Sequence, residues 1–268
     1  MPRTVGNRPG GPDVVSTDNV LKPIRSVGDF YAVALDTLVA MVKPPFAWRE
    51  FILQTWFVAR VAVVPTLLLA VPFTVLVVFT INVLLTEFGA TDFSGTGAAS
   101  AAVTEIGPIV TVLVVAGTGA TAMCADLGAR TIRDELDALR VMGVDPVHRL
   151  VVPRVLAATV VAVSLVSLVT LVGLVGSFGF AVFIQHVTPG AFVAGLTLFT
   201  GLPDIVLSLV KGALFGLSAA LIACYKGMSV RRGPQGVGNA VNETVVYSFI
   251  ALFVINIVAT AVYYTSAK

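Results

Sequence analysis

Charge is the first thing this chain lacks. Aspartate, glutamate, lysine and arginine supply 12% of its 268 residues, about half their share in an ordinary soluble domain, while 57% are hydrophobic and the mean hydropathy is +0.95. That balance excludes a water-soluble domain and describes a chain that lives in lipid. Cysteine is scarce too. Cys124 and Cys224 are the two present; both sit inside apolar stretches and form no CxxC pair, so they read as buried free thiols and not as a disulfide or metal site. Histidine is limited to His148 and His186, which fall on opposite sides of the membrane in the topology below and read as surface residues. No histidine pair or carboxylate cluster suggests a metalloenzyme, and no serine shares a plausible depth with a histidine. G-x-x-x-x-G-K-[ST] is also missing, which excludes P-loop binding of ATP by this chain. The glycine strings GTGATA (117–122) and GVGNAV (236–241) follow no strand of a βαβ unit. The first reads as close helix packing and the second as a turn at the membrane surface. With a net charge of +2 and basic residues gathered beside apolar runs, a nucleic-acid partner is not expected.

What the chain has is long apolar runs. VLAATVVAVSLVSLVTLVGLVGSFGFAVFI (155–184) is apolar throughout, whereas a membrane-crossing strand would alternate apolar and polar residues over about ten positions. The expected fold is therefore an all-α integral membrane protein with about five transmembrane helices, at 61–85, 104–126, 150–184, 204–225 and 243–265. The third is long enough to tilt, break or hold a re-entrant piece. Pro65 and Pro72 are expected to kink the first. Residues 1–22 are polar and rich in proline and glycine, with no apolar core after Arg3 and Arg8, and read as a disordered tail without a cleavable signal. Between 23 and 60, Val27, Phe30, Tyr31, Ala34, Leu35, Leu38, Val39 and Val42 recur at helical spacing, and PPFAWREFILQTWFVAR mixes Trp48, Phe51 and Trp56 with Arg49, Glu50 and Arg60. Both stretches suit headgroup depth, the first as an amphipathic helix lying in the interface.

Orientation follows from lysine and arginine. The connections 86–103 and 185–203 have neither, while 127–149 carries Arg130, Arg133, Arg140 and Arg149, and 226–242 carries Lys226, Arg231 and Arg232. By the positive-inside rule the N-terminus and both charged loops are cytoplasmic and the C-terminus lies outside. RTIRDELDALRVMG (130–143) then becomes a short cytoplasmic helix that ends at Gly143 before Asp-Pro, with Ile132, Leu136 and Leu139 on one face and Arg133, Asp137 and Arg140 on another. So short a helix must dock on something. It rests either on its own bundle or on a cytoplasmic partner.

The same region carries a resemblance. Glu105, Ile106, Gly107 and Pro108, then Glu135, Asp137, Ala138, Leu139, Val141, Met142, Val144 and Pro146, then Val151, Val152, Pro153 and Arg154 follow one pattern, and CYKGMSVRRGPQGVGNAV (224–241) follows a second. Together they resemble the MlaE/YrbE permease family of ATP-binding-cassette lipid transporters over about 45–265. The tail and PPFAWREFILQTWFVAR look most like actinobacterial YrbE proteins of the A type, from mycobacterial Mce systems. The resemblance implies a non-catalytic permease domain over 61–265 in the cytoplasmic (inner) membrane. Its coupling helix would offer Arg133, Glu135, Leu136, Asp137, Leu139, Arg140, Met142 and Gly143 to a cytoplasmic ATPase dimer. No cofactor is implied in this chain, because the ATPase binds ATP and magnesium. A second YrbE-type permease, forming a heterodimer or homodimer, and MCE-domain proteins outside the membrane are the other implied partners, with a fatty acid or other lipid as cargo. A permease for another hydrophobic solute, a membrane lipid transferase without ATP coupling and a scaffold are the competing readings.

Ionisable residues inside spans mark candidate substrate contacts. Lys211 and Glu105 fall near the same outer level. Lys211 is expected to attract a phosphate or carboxylate headgroup, with Glu105 as its partner when empty; the alternatives are a structural ion pair or a lysine snorkelling outward. Asn256, in the last span, either bonds to a neighbouring helix or borders the lipid path. Gly212 and Gly216, and Gly173, Gly176 and Gly179, have the spacing of close helix packing, within the chain or between chains.

Overall fold

The computed structural model describes residues 17–44, 46–89, 97, 101–184, 188–190, 192–194, 201–230 and 233–266. Among them there is no strand. Five helical rods are long and apolar enough to cross a membrane: Trp48–Leu85, Ala101–Ile132, Val147–Phe183, Leu202–Met228 and Pro234–Tyr263. The protein is an all-α, multi-pass membrane protein.

The first span packs along the third, the third along the fourth and the fourth along the fifth, while the second threads between the others and touches all of them. The second is accordingly the most enclosed and the fifth the least. Enclosure explains its composition, because AAVTEIGPIVTVLVVAGTGATAM is built from small and β-branched residues that leave room for neighbours on every side. It also winds irregularly, with π-helical turns at Ala101–Ile106 and Val115–Ala120. GTGATA therefore belongs to a widened turn and not to a close packing seam: a methyl group on Gly117 would meet nothing within 4 Å, and one on Gly119 only Val58 at 3.9 Å. The third span, entered through a third π turn at Val147–Val151, then runs unbroken to Phe183.

Several boundaries differ from expectation, among them the start of the fifth span, at Pro234 and not at 243, which puts GVGNAV (236–241) in a helix and not in a turn at the membrane surface. The interfacial helix begins at Thr17, inside the stretch read as a tail, and ends at Ala40; residues 1–16 lie outside the described residues, as do His186, Arg231 and Arg232. No boundary falls at 60 either. One helix runs Trp48–Glu87 through Pro65 and Pro72, so the aromatic and charged stretch is the first turns of the first span. The interfacial helix turns Phe30, Ala34, Thr37, Ala40 and Met41 toward the bundle and leaves Val27, Tyr31, Leu35 and Val39 uncovered by protein. Lipid suits that second face.

Candidate functional site

The charged loop does not form one helix. The second span carries Arg130 and Ile132 as its last turn, the chain bends where Asp134 takes a left-handed conformation with φ 58°, and a separate helix runs Glu135–Val141. Aspartate is among the few residues that tolerate this region of backbone space. Gly143, at φ 75°, ends the short helix: its N–H donates to the Arg140 carbonyl at 3.0 Å and the Val144 N–H to the Leu139 carbonyl at 2.9 Å. This paired closure is a Schellman motif. Asp145 then accepts from the Val147 N–H at 3.0 Å, so the chain re-enters the third span already capped.

Leu136 is buried and Leu139 packs against the main core. The inward apolar face thus rests on the bundle, which corrects the assignment of both leucines to a partner's groove. Facing away are Asp137, Ala138, Arg140, Val141 and Met142, with Val141 89% and Met142 67% exposed. An apolar tip flanked by an exposed Asp137–Arg140 ion pair of 2.9 Å is left uncovered by this chain. Ala138 and Val141 were missing from the candidate set, because their contribution is exposure, which periodicity does not report.

Behind the loop helix stands a chain of ion pairs. Glu135 holds Arg133 at 2.8 Å and Arg130 at 3.8 Å. Arg130 lies 3.4 Å from Asp126. The same Asp126 oxygen accepts from Arg154 at 2.6 Å, and Arg154 also donates to the Leu150 carbonyl at 2.9 Å and lies 3.8 Å from Glu50. Arg154 has none of its surface exposed. Its planar fork reaches two carboxylates and a carbonyl at once, which a lysine could not reproduce. The loop helix is thereby joined electrostatically to the second, third and first spans. The Thr131 hydroxyl adds a hydrogen bond to the Gly227 carbonyl at 3.0 Å, which ties in the fourth. Asp126 was not singled out by sequence, and Arg130 and Glu50 were read only as topology-setting and headgroup-depth charges. The available signal was an aspartate at the very end of an apolar span, costly there unless paired.

Of the expected substrate contacts, Lys211 and Glu105 lie near each other without forming an ion pair. Lys211 is fully buried, and its ammonium donates to the Thr104 carbonyl at 3.4 Å. Glu105 is near enough to act on it electrostatically, yet its side chain is exposed and makes no salt bridge with Lys211. Glu105 sits in the π-helical turn Ala101–Ile106, next to Thr104. Asn256 lies in the buried stripe of the fifth span, and its Oδ1 has no hydrogen-bond partner among the described residues. His148 is partly buried, with Nε2 3.0 Å from the Lys43 carbonyl, and both cysteines are buried and free.

The chain is a multi-pass helical bundle that carries a short helix on its charged end, and its relatives are permease subunits. Residues 51–262 match the family described as Permease MlaE, and the chain belongs to that family. It is 33% identical to a probable ABC transporter permease protein of Synechocystis over 67% of this chain and 69% of that protein. It is 26% identical to one of Rickettsia typhi over 90% and 93%. To the intermembrane phospholipid transport system permease protein MlaE of Haemophilus influenzae it is 27% identical, over 67% and 69%.

Proposed function

We infer that this chain is the membrane-spanning permease subunit of an ATP-driven lipid importer of the Mce type, carrying a fatty acid or related lipid. A separate cytoplasmic ATPase dimer binds ATP and magnesium, and its movement enters this chain through the loop helix Glu135–Val141. One observation carries the reading: the helix has its inner face fixed to the bundle while Val141 and Met142 project bare into water. Exposed apolar side chains outside the membrane mark a protein contact. The positive-inside rule supports a cytoplasmic site for this end, in the inner membrane. The likeness to A-type YrbE proteins supports pairing with a second YrbE-type permease, with MCE-domain proteins on the far side. Lipid as the cargo is supported by the name of the Haemophilus relative.

Substituting Val141→Asp together with Met142→Asp is expected to reduce recovery of the ATPase with the affinity-purified permease at least tenfold, while the permease stays folded in the membrane. Recovery at wild-type level would refute the docking role. Leu139→Asp should instead lower the amount of folded chain, since that side chain packs on the bundle.

Lys211 is the proposed headgroup contact. With one long hydrogen bond among the described residues, the buried ammonium is under-satisfied, as it has three donors, and an anionic headgroup entering from the outer end would supply the missing acceptors. Lys211→Met should reduce lipid transport at least tenfold in reconstituted vesicles, and Lys211→Glu should reduce it further. Transport unchanged in both would remove Lys211 from the path.

A further inference from the structure

A groove of about 580 Å³ opens between the interfacial helix, the fourth span and the fifth span. Val27 and Phe30 form one wall, Ile222 a second, and Ile250 and Ala251 the third. At one end stands Lys226, in the last turn of the fourth span. Its ammonium pairs with Glu243 at 2.6 Å and lies 4.5 Å from the centre of the Tyr247 ring. Polar groups thus gather where the fourth span ends, and the walls become apolar one turn deeper. An amphiphile has the same order of groups along its length.

We propose that this groove binds a zwitterionic phospholipid of the adjoining leaflet, of the phosphatidylethanolamine class. Its phosphate would take the Lys226 ammonium, its amine would take the Glu243 carboxylate beside the Tyr247 ring, and an acyl chain would lie along Ile222 and Ile250. The preference for a zwitterion follows from the ion pair. Lys226 is already neutralised by Glu243, so an anionic headgroup meets no net charge and must leave the carboxylate unpaired. A headgroup with both signs replaces each half of the pair, and the face of Tyr247 favours a cation next to it. Tyrosine and lysine at the end of a span also suit headgroup depth. This site is separate from Lys211, which lies 15 residues away on the same helix, roughly 22 Å along its axis. A lipid held here would join the interfacial helix to the two spans beside it.

The test is native mass spectrometry of the full-length permease within its detergent-purified transporter, delipidated and then titrated with phosphatidylethanolamine or phosphatidylglycerol. The wild type should retain phosphatidylethanolamine at least fivefold better than phosphatidylglycerol. Ile250→Trp, which fills the groove, should abolish that difference. Leu68→Trp, on a lipid-facing position of the first span, should leave it intact. Glu243→Gln frees the Lys226 charge and should invert the preference toward phosphatidylglycerol. Equal retention of the two lipids by the wild type, or an unaltered preference in Ile250→Trp, would overturn the proposal. So would an Ile250→Trp protein that retains lipid but loses its second permease subunit, since the groove would then be a subunit contact.

Discussion

Replacing Asp126 by alanine is expected to lower the unfolding free energy by about 2–3 kcal/mol and to disconnect the loop helix from the bundle. Arg154 is the reason. It has no exposed surface and its best hydrogen bond, at 2.6 Å, goes to Asp126; removing the carboxylate leaves a guanidinium inside the protein with Glu50 at 3.8 Å as its only other counter-ion among the described residues. Breaking a fully buried pair costs about 3–5 kcal/mol, and the lower figure here allows for Asp126 being 32% exposed and screened by water. Two further variants separate packing from charge. Asp126→Asn keeps the shape and one acceptor and should cost about half as much, since a hydrogen bond to a charged group survives. Arg154→Lys should cost nearly as much as Asp126→Ala, because a single ammonium cannot span Asp126, Glu50 and the Leu150 carbonyl. Reversible unfolding in a mixed-micelle denaturant titration checks all three. Equal, small effects would mean that the network is ornamental to the fold.

A single methyl group on Gly216 is expected to separate the third and fourth spans. An added Cβ would lie 2.6 Å from the Ala158 carbonyl oxygen and 2.6 Å from the Thr159 Cα. Both atoms are backbone of the facing helix, so no side-chain rotation relieves the clash. Gly216→Ala gains about 1 kcal/mol of helix propensity but must push two packed helices apart, an overpacking that typically costs 1–3 kcal/mol; Gly216→Val adds more volume and should leave little folded protein. Gly176→Ala is the control. A Cβ there meets nothing within 4 Å, so that variant should be neutral or slightly stabilised. The thermal midpoint of the purified protein should fall clearly in the first case and hold in the second.

These two sites show how far sequence carries and where it stops. Glycine spacing marked Gly212, Gly216, Gly173, Gly176 and Gly179 alike, yet an added methyl would clash at the first pair, make ordinary contact with Ala102 and Thr74 at Gly173, and meet nothing within 4 Å at Gly176 and Gly179. Spacing fixes the side of the helix a glycine faces and says nothing about what stands there. The charged loop was legible as the seat of a short helix, and Gly143 as its end, because helix termination is a local matter of φ and of two backbone hydrogen bonds. Which of its faces is free was not legible. Leu136 and Leu139 look like a partner's anchor until the bundle is seen beneath them, and Val141 looks unremarkable until its surroundings prove empty. Likewise Glu105 and Lys211 were matched by depth, which hydropathy gives, but pairing depends on where each side chain ends up, and Glu105 is exposed while Lys211 is buried.

Composition and hydropathy determined that the chain crosses a membrane, that it does so as helices, how many spans there are and which loops carry the charge. These follow from the cost of taking charge and unpaired backbone into hydrocarbon, which each segment meets alone. The tertiary structure alone decided that Asp126, Arg154, Glu50 and Glu135 form one network, that the loop helix presents Val141 and Met142, and that Lys226 and Tyr247 close one end of a groove. Each of these joins residues far apart in the chain, and proximity between helices is set by how their surfaces pack.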